Sequence, residues 1–221
     1  KAFSELRSIV ARLRAADGCP WDREQTPSSM KKYILEEAYE LSEAIDEKDS
    51  KSVAEELGDL FFMMLLLTDI YAEADISFLD RTFAGIAEKM IRRHPHIFGN
   101  VKVNSIKEVA ANWQEIKARE AKERGEKHSF LGHLPKSLPA LQRAFRVGER
   151  SSRVNFDWVE AEDVWAKIAE EEQELKEAIK TKSKKNIEHE IGDLLFTLAN
   201  MARLLEINPE DALQKTIGDR K

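Results

Sequence analysis

The feature that most constrains this chain is a carboxylate pattern that occurs twice. The first copy, Ile34 to Asp59, reads Ile-Leu-Glu-Glu-Ala-Tyr-Glu-Leu-Ser-Glu, then a polar break at Glu47–Ser52, then Glu-Glu-Leu-Gly-Asp-Leu-Phe-Phe. The second, Ile168 to Asp193, keeps the internal spacing at a constant offset of 134 residues: Glu36 to Glu170, Glu56 to Glu190, Asp59 to Asp193. A long repeat of this kind marks two copies of one supersecondary unit and sets the domain plan.

Residues three or four apart share a helix face. Glu37 therefore projects with Glu40, and Glu56 with Asp59; in the second copy Glu171 goes with Glu174, and Glu190 with Asp193. A break as short and polar as Glu47–Ser52 returns the chain antiparallel, so four carboxylates converge between two helices. Such a cluster repels itself, and a hard divalent cation with oxygen ligands is the usual remedy. A solvated acidic helix face accounts for Glu36–Glu43 on its own just as well. Asp59 and Asp193 shift the balance, since each leads into an apolar run (Leu60-Phe61-Phe62, Leu194-Leu195-Phe196), where an ionised carboxylate is costly unless paired or metal-bound. Recurrence of both pairs favours a metal site in each copy.

The remaining periodicity is helical. Phe3, Leu6, Ile9, Val10 and Leu13 form a stripe over Ala2–Ala16, stopped by Asp17-Gly18-Cys19-Pro20. Trp21–Pro27 reads as a loop with Ser28 or Ser29 capping the next helix. Helices follow to about Glu47, over Lys51–Ala74, and over Ile76–Arg93. The segment Leu57–Leu67 is apolar nearly all round, the mark of a central helix. His96–Asn104 reads as a loop, Ser105–Arg124 as a helix, and Gly125–Ser137 as a linker. Leu138, Leu141, Ala144 and Phe145 then restart the opening stripe, and carboxylate helices over Ala161–Thr181 and Lys184–Leu205 precede a last helix opened by Pro209. No useful strand alternation occurs. The expected fold is all-α, with two tandem related helical-bundle units: residues 1–99, a connecting helix and linker over 100–137, and residues 138–221.

At 221 residues and 42% apolar content the chain is globular, and its net charge of −6 argues against nucleic acid as the main partner. One cysteine, Cys19, excludes an internal disulfide framework and fits a reducing compartment. The apolar run Leu60–Leu67 is far too short to span a bilayer. No signal-peptide pattern opens the sequence, which starts at Lys1 rather than Met, and a cytoplasmic location is the expectation.

All-carboxylate ligands suit Mg²⁺ or Mn²⁺. A di-iron bundle uses Glu-x-x-His, whereas His189 directly precedes Glu190 and no histidine has the required spacing. Mg²⁺ clusters serve phosphate chemistry, and an anionic substrate needs cations: Lys31, Lys32, Lys89, Arg92, Arg93 and Lys167 are candidates, each taken singly more readily a surface charge. There is no Walker A and no G-x-G-x-x-G, so a bound nucleotide must be held by metal and basic side chains. Trp21 reads first as a loop anchor and second as a cover for a base. His94-Pro95-His96 reads first as a helix stop and second as a ligand pair.

These residues resemble a known family. Glu36-Glu37-x-x-Glu40 followed by Glu56-x-x-Asp59 is similar to the signature of the MazG nucleoside triphosphate pyrophosphohydrolases, of the all-α NTP pyrophosphatase superfamily. The likeness extends over nearly the whole chain, through the tandem repeat, Gly18-Cys-Pro-Trp-Asp-x-x-Gln-Thr26, Arg92-Arg93-His94-Pro95-His96-Ile97-Phe98-Gly99 and Val154-Asn155-Phe156-Asp157-Trp158. It implies hydrolysis of ribo- or deoxynucleoside triphosphates to monophosphate and pyrophosphate with Mg²⁺. It implies Glu37, Glu40, Glu56 and Asp59 as metal ligands in the first repeat, and Glu171, Glu174, Glu190 and Asp193 in the second. It further implies a homodimer, whose helices pair across subunits.

The copies differ around this set. Lys167 stands one turn before Glu171 where the first repeat has Tyr33, and Asn200 stands on the Asp193 face where the first has Leu66. Family members commonly carry a lysine just upstream of the glutamate pair, so the second repeat is the better equipped, with Lys167 as a catalytic phosphate contact and Asn200 as a nucleotide contact. The first keeps Lys89 and Arg93 on its last helix; the matching part of the second begins near Arg220 and Lys221 and is expected to be cut short. A non-catalytic nucleotide-sensing or regulatory helical module is the alternative reading, separated from the enzyme by measured pyrophosphate release. A di-iron oxidoreductase ranks third, and a colourless protein counts against it.

Overall fold

The structure is a computed structural model, and it describes residues 1–125, 132–154, 157–158 and 160–218. Among the described residues there are helices and no strands, so the chain is all-α. Its contacts divide it into two units, Lys1–Gln114 and Glu115–Lys221. Residues 126–131 of the expected linker, Asn155 and Phe156 of the Val154–Trp158 motif, and Arg220 and Lys221 lie outside the described residues.

Unit 1 contains α1 (Ala2–Arg14), α2 (Pro20–Glu24), α3 (Pro27–Glu47), α4 (Ser50–Ala72), α5 (Phe78–Arg93) and α6 (Pro95–Phe98). The division falls inside α7 (Ile106–Glu123). Unit 2 contains α8 (Ala140–Ser152), α9 (Ala161–Thr181), α10 (Lys184–Leu204) and α11 (Pro209–Gly218).

The carboxylate hairpins α3/α4 and α9/α10 are built alike. Lys48 takes the left-handed conformation at φ 60° and ends α3, and Asp49 caps α4 by accepting from the Lys51 amide at 3.0 Å. One repeat length later Lys182 is left-handed at φ 56°, and Ser183 caps α10 by accepting from the Asn186 amide. A left-handed non-glycine residue costs about 1–2 kcal/mol. The hairpin tolerates it because it brings the two helices straight back against each other, and a lysine there favours the negative helix end.

The ends of other helices differ from the sequence reading in instructive ways. Thr26, not Ser28 or Ser29, caps α3; Ser29 closes the reciprocal half of a capping box and Pro27 occupies the first helical position. Helix α2 lies in the stretch read as a loop, and α6 overlaps the loop read over His96–Asn104. Both are too short to show periodicity; their one signal is a proline in the first turn. Gly18 is needed here: a Cβ would collide with the Leu13 carbonyl, to which the next amide, Cys19 N–H, donates at 2.7 Å.

In unit 1 the core is Val10, Met30, Leu65 and Leu66, with Leu6, Tyr33, Ile34, Phe62 and Ile70 packed against it. Full burial of such side chains is worth roughly 1.5–3 kcal/mol each. Arg14, almost wholly buried, ties α1 to two neighbours. It donates to the Asp22 carbonyl of α2 at 2.6 Å and pairs with Asp69 of α4 at 3.2 Å, and with Glu73. In unit 2, α10 packs against α9 and α8, and Arg203 pairs with Asp157. Gly148 of α8 leaves the room this seam needs, since a Cβ there would strike the Asn200 Oδ1 and crowd Arg203.

Helix α4 is central to unit 1, packing on α3, α1 and α5. It is not covered all round, however. Leu57, Phe61 and Met64, and the equivalent Ile191, Leu195 and Leu198 of α10, are all 41–48% exposed. Each unit thus presents one apolar strip on the second helix of its hairpin.

Candidate metal centre

Helix α3 places Glu37 and Glu40 one turn apart, and α4 returns Glu56 opposite them. One carboxylate oxygen from each lies within 4.8 Å of the others. Helices α9 and α10 do the same with Glu171, Glu174 and Glu190, again within 4.8 Å. Asp59 and Asp193 are not in these sets of mutually reachable oxygens. Asp193 faces His189, one turn before it, at 3.2 Å, and Asp59 is exposed at its place on α4. Although each aspartate leads into an apolar run, neither is buried. The flanking Leu57, Phe61, Ile191 and Leu195 are themselves open to solvent.

Electrostatics separates the clusters. Burial pushes the Glu37 carboxyl above its ordinary range, with Glu40, Asp59 and Glu56 adding to the rise; Glu56 is pushed up by burial and then by Glu40 and Asp59. Among the described residues no cation pairs with Glu37, Glu40 or Glu56. In unit 2 burial raises Glu174, and Glu171 and Glu190 raise it further, but Lys167 opposes them. Lys167 Nζ lies 2.8 Å from Glu171 Oε1 and 3.0 Å from Glu170 Oε1, and these contacts push the ammonium well above its usual range. Glu171 is only 4% exposed, and its second oxygen, Oε2, is buried with no hydrogen-bond partner. A buried carboxylate oxygen left unpaired is costly. Here it belongs to an all-oxygen donor set on facing helices, which fits a hard divalent cation.

The other candidates fall in different places. Tyr33, in the position of Lys167, packs on the unit 1 core. Trp21 stands edge-on to it, 5.4 Å between centroids at 63°, and Lys32 Nζ lies 4.4 Å from the Tyr33 ring centre. Trp21 is 45% exposed, so it is not a buried anchor. Lys89 and Arg93 sit half-buried on the last turns of α5. Asn200 is buried: its amide donates to the Phe196 carbonyl at 3.0 Å and its Oδ1 accepts from Arg203 Nε at 3.4 Å. His94 Nδ1 faces the Met90 carbonyl at 2.7 Å and its ring stands edge-on to Trp113, and no metal-ligating group of three includes a histidine among the described residues. The reading of sequence did not foresee the Arg203–Asp157 clamp. Its one signal was the Asp157-Trp158 end of the quoted motif, since partners 46 residues apart leave no periodic trace.

Fold and cluster define a class: an all-α protein that converges carboxylates from antiparallel helix pairs for a divalent cation. Comparison with known proteins narrows it. The sequence profile described as the MazG nucleotide pyrophosphohydrolase domain matches residues 25–98 and 160–218, one segment in each repeat. A Thermotoga maritima protein named nucleoside triphosphate pyrophosphohydrolase/pyrophosphatase MazG is 44% identical over 213 residues, covering 96% of this chain and 80% of its own. An Escherichia coli K12 protein named nucleoside triphosphate pyrophosphohydrolase is 39% identical over 218 residues, covering 96% of this chain and 82% of its own. An uncharacterized Bacillus subtilis protein, YabN, is 44% identical over 97% of this chain, which spans 44% of it. The chain belongs to the MazG nucleotide pyrophosphohydrolase family, a family of hydrolases. No helix among the described residues is long and apolar enough to cross a membrane.

Proposed function

We propose that the chain hydrolyses nucleoside triphosphates, ribo- or deoxy-, to the monophosphate and pyrophosphate at the unit 2 cluster, with Mg²⁺ or Mn²⁺ held by Glu171, Glu174, Glu190 and Asp193. Family membership supports the reaction class, and two similar proteins carry this activity in their names. The observation that carries the site is the buried, unpartnered Oε2 of Glu171 inside a set of converging carboxylates. A cation bound there would polarise phosphoryl oxygens and lower the pKa of water. The chain's own residues do the rest. Glu171 is fixed by burial and by Lys167, so it offers its free oxygen without reorganising. Glu190 and Glu174 close the set from the facing helix and the next turn. Lys167, on a flexible stem, supplies a mobile positive charge to phosphate oxygens. Hydrolysis joins a water oxygen to the α-phosphorus and breaks its bond to the β-bridging oxygen, and positive charge near the leaving pyrophosphate favours that step. Asn200 is buried, with its amide bonded to Phe196 and Arg203, so contact with a nucleotide would require it to be uncovered.

For unit 1 we infer binding without turnover, with Glu37, Glu40, Glu56 and Asp59 toward a cation and Lys89 and Arg93 toward phosphates. The favouring observation is Tyr33 in place of the lysine, beside the half-exposed Trp21. The equivalent apolar strips of α4 and α10 support a homodimer in which a second copy covers them; a stable monomer on sedimentation at micromolar concentration would exclude it. The activity test is a panel of ribo- and deoxynucleoside triphosphates with Mg²⁺. Pyrophosphate release abolished by a chelator is the expected result. Phosphate release removes the proposal, and nucleotide binding without turnover leaves the sensing module.

A further inference from the structure

We propose that Lys167 is a built-in counter-ion of the unit 2 centre: in the ligand-free protein it holds the place of one positive charge against Glu171, and it passes to the nucleotide's phosphates when the cation takes its place. The inference rests on the metal reading above.

The geometry is specific. Lys167 Nζ lies 2.8 Å from Glu171 Oε1 and leaves the buried Oε2 of the same carboxylate unpaired. One oxygen of the most buried ligand is thus already paired with a positive charge, while the other is buried without a partner. The lysine's second partner, Glu170 Oε1 at 3.0 Å, is outside the cluster and more than half exposed, and the lysine side chain itself is about a third exposed. Its ammonium is held by two carboxylates at the end of a flexible four-carbon stem, which a change of rotamer can redirect. Among the described residues unit 1 has nothing comparable. Tyr33 at the equivalent position is neutral, and its ring packs on the unit 1 core.

The consequence is a coupling. A cation approaching Glu171 meets a resident ammonium and must displace or tolerate it. A nucleotide offers that ammonium other oxygens. Substrate then favours cation, and by reciprocity cation favours substrate. Lys167 opposes cation binding in the empty protein and assists the reaction in the loaded one, so its removal moves the two readouts in opposite directions.

The test uses the full chain carrying Glu37→Gln and Glu40→Gln, so that unit 2 alone reports, with free Mn²⁺ followed by electron paramagnetic resonance in the absence of nucleotide. Lys167→Met is expected to bind Mn²⁺ about tenfold more tightly, the scale of effect that a charge at this distance has on a neighbouring equilibrium. Lys167→Arg, which keeps the charge, should stay close to the parent. Lys176→Met, which removes a lysine of the same helix paired at 2.7 Å to Glu172 outside the cluster, should change little. Turnover of Lys167→Met should fall while its cation affinity rises; a lesion of packing lowers both. Unchanged or weaker Mn²⁺ binding by Lys167→Met, or an equal gain in Lys176→Met, overturns this proposal and leaves the metal reading standing. If the parent itself binds no Mn²⁺ at millimolar concentration, the metal reading fails and this inference fails with it.

Discussion

The hairpins α3/α4 and α9/α10 share a backbone plan down to the left-handed lysine that ends the first helix of each. They share three carboxylates within 4.8 Å of one another. What they do not share is the means of balancing that charge. In unit 1 Glu37 and Glu56 are pushed up by burial and by their own neighbours, with no cation against them among the described residues. In unit 2 a lysine one turn upstream meets the most buried glutamate directly. Identical ligand spacing thus produces two different electrostatic states, and the difference lies at one position, Tyr33 against Lys167. A repeat duplicates geometry more readily than electrostatics, because the residue that tunes a cluster sits just outside it.

The sharpest way to break the comparison is to erase that position. Lys167→Met is expected to lower turnover by about 10²–10³, or roughly 2–4 kcal/mol, the size of a charge-assisted contact that strengthens in the transition state. Steady-state pyrophosphate release checks it. Tyr33→Met should leave turnover within about twofold, as expected of a position that takes no part in the transition state.

The frame that holds the α9/α10 hairpin rests on the close approach of α8. Gly148→Ala should destabilise the protein by about 1–3 kcal/mol, since a methyl group there must push aside Asn200 and Arg203 in a closed seam. Urea denaturation measures it, and an unchanged midpoint would show that the α8–α10 seam gives way freely.

That seam also shows where sequence reading ends. The helices, the hairpins and the glutamates were legible because they repeat with fixed periods. Thr26 as the cap of α3 was not, because Thr26, Ser28 and Ser29 compete and only backbone geometry, set by Pro27, selects among them. Asp59 and Asp193 were singled out by apolar neighbours in sequence. Yet a helix in a two-layer hairpin buries only one face: Phe61, Leu195 and Phe196 lie on the open side, while Phe62 packs on the core. Asn200 shares the Asp193 face by periodicity, but Arg203 and the Phe196 carbonyl claim its amide. Burial and the partner each side chain finds decide such cases, and neither is written in the periodicity.

The smallest effect on stability is expected at Asp193. Asp193→Asn should remove cation-supported turnover yet leave the metal-free melting temperature no lower. It leaves the Glu171, Glu174 and Glu190 carboxylates in place, and the pair it loses, with the exposed His189, is worth about 0–1 kcal/mol. Calorimetry in the presence of a chelator checks it. A clear fall in melting temperature would give Asp193 a structural role and weaken the parallel between the units.

The central claim is that unit 2 carries the chemistry although both units carry the carboxylates. The most direct measurement compares two double variants of the full-length chain in the same pyrophosphate-release assay. Glu37→Gln with Glu40→Gln should retain most of the activity, and Glu171→Gln with Glu174→Gln should abolish it. If the unit 1 pair is the inactive one, Lys89 and Arg93 outweigh Lys167 and the assignment is reversed.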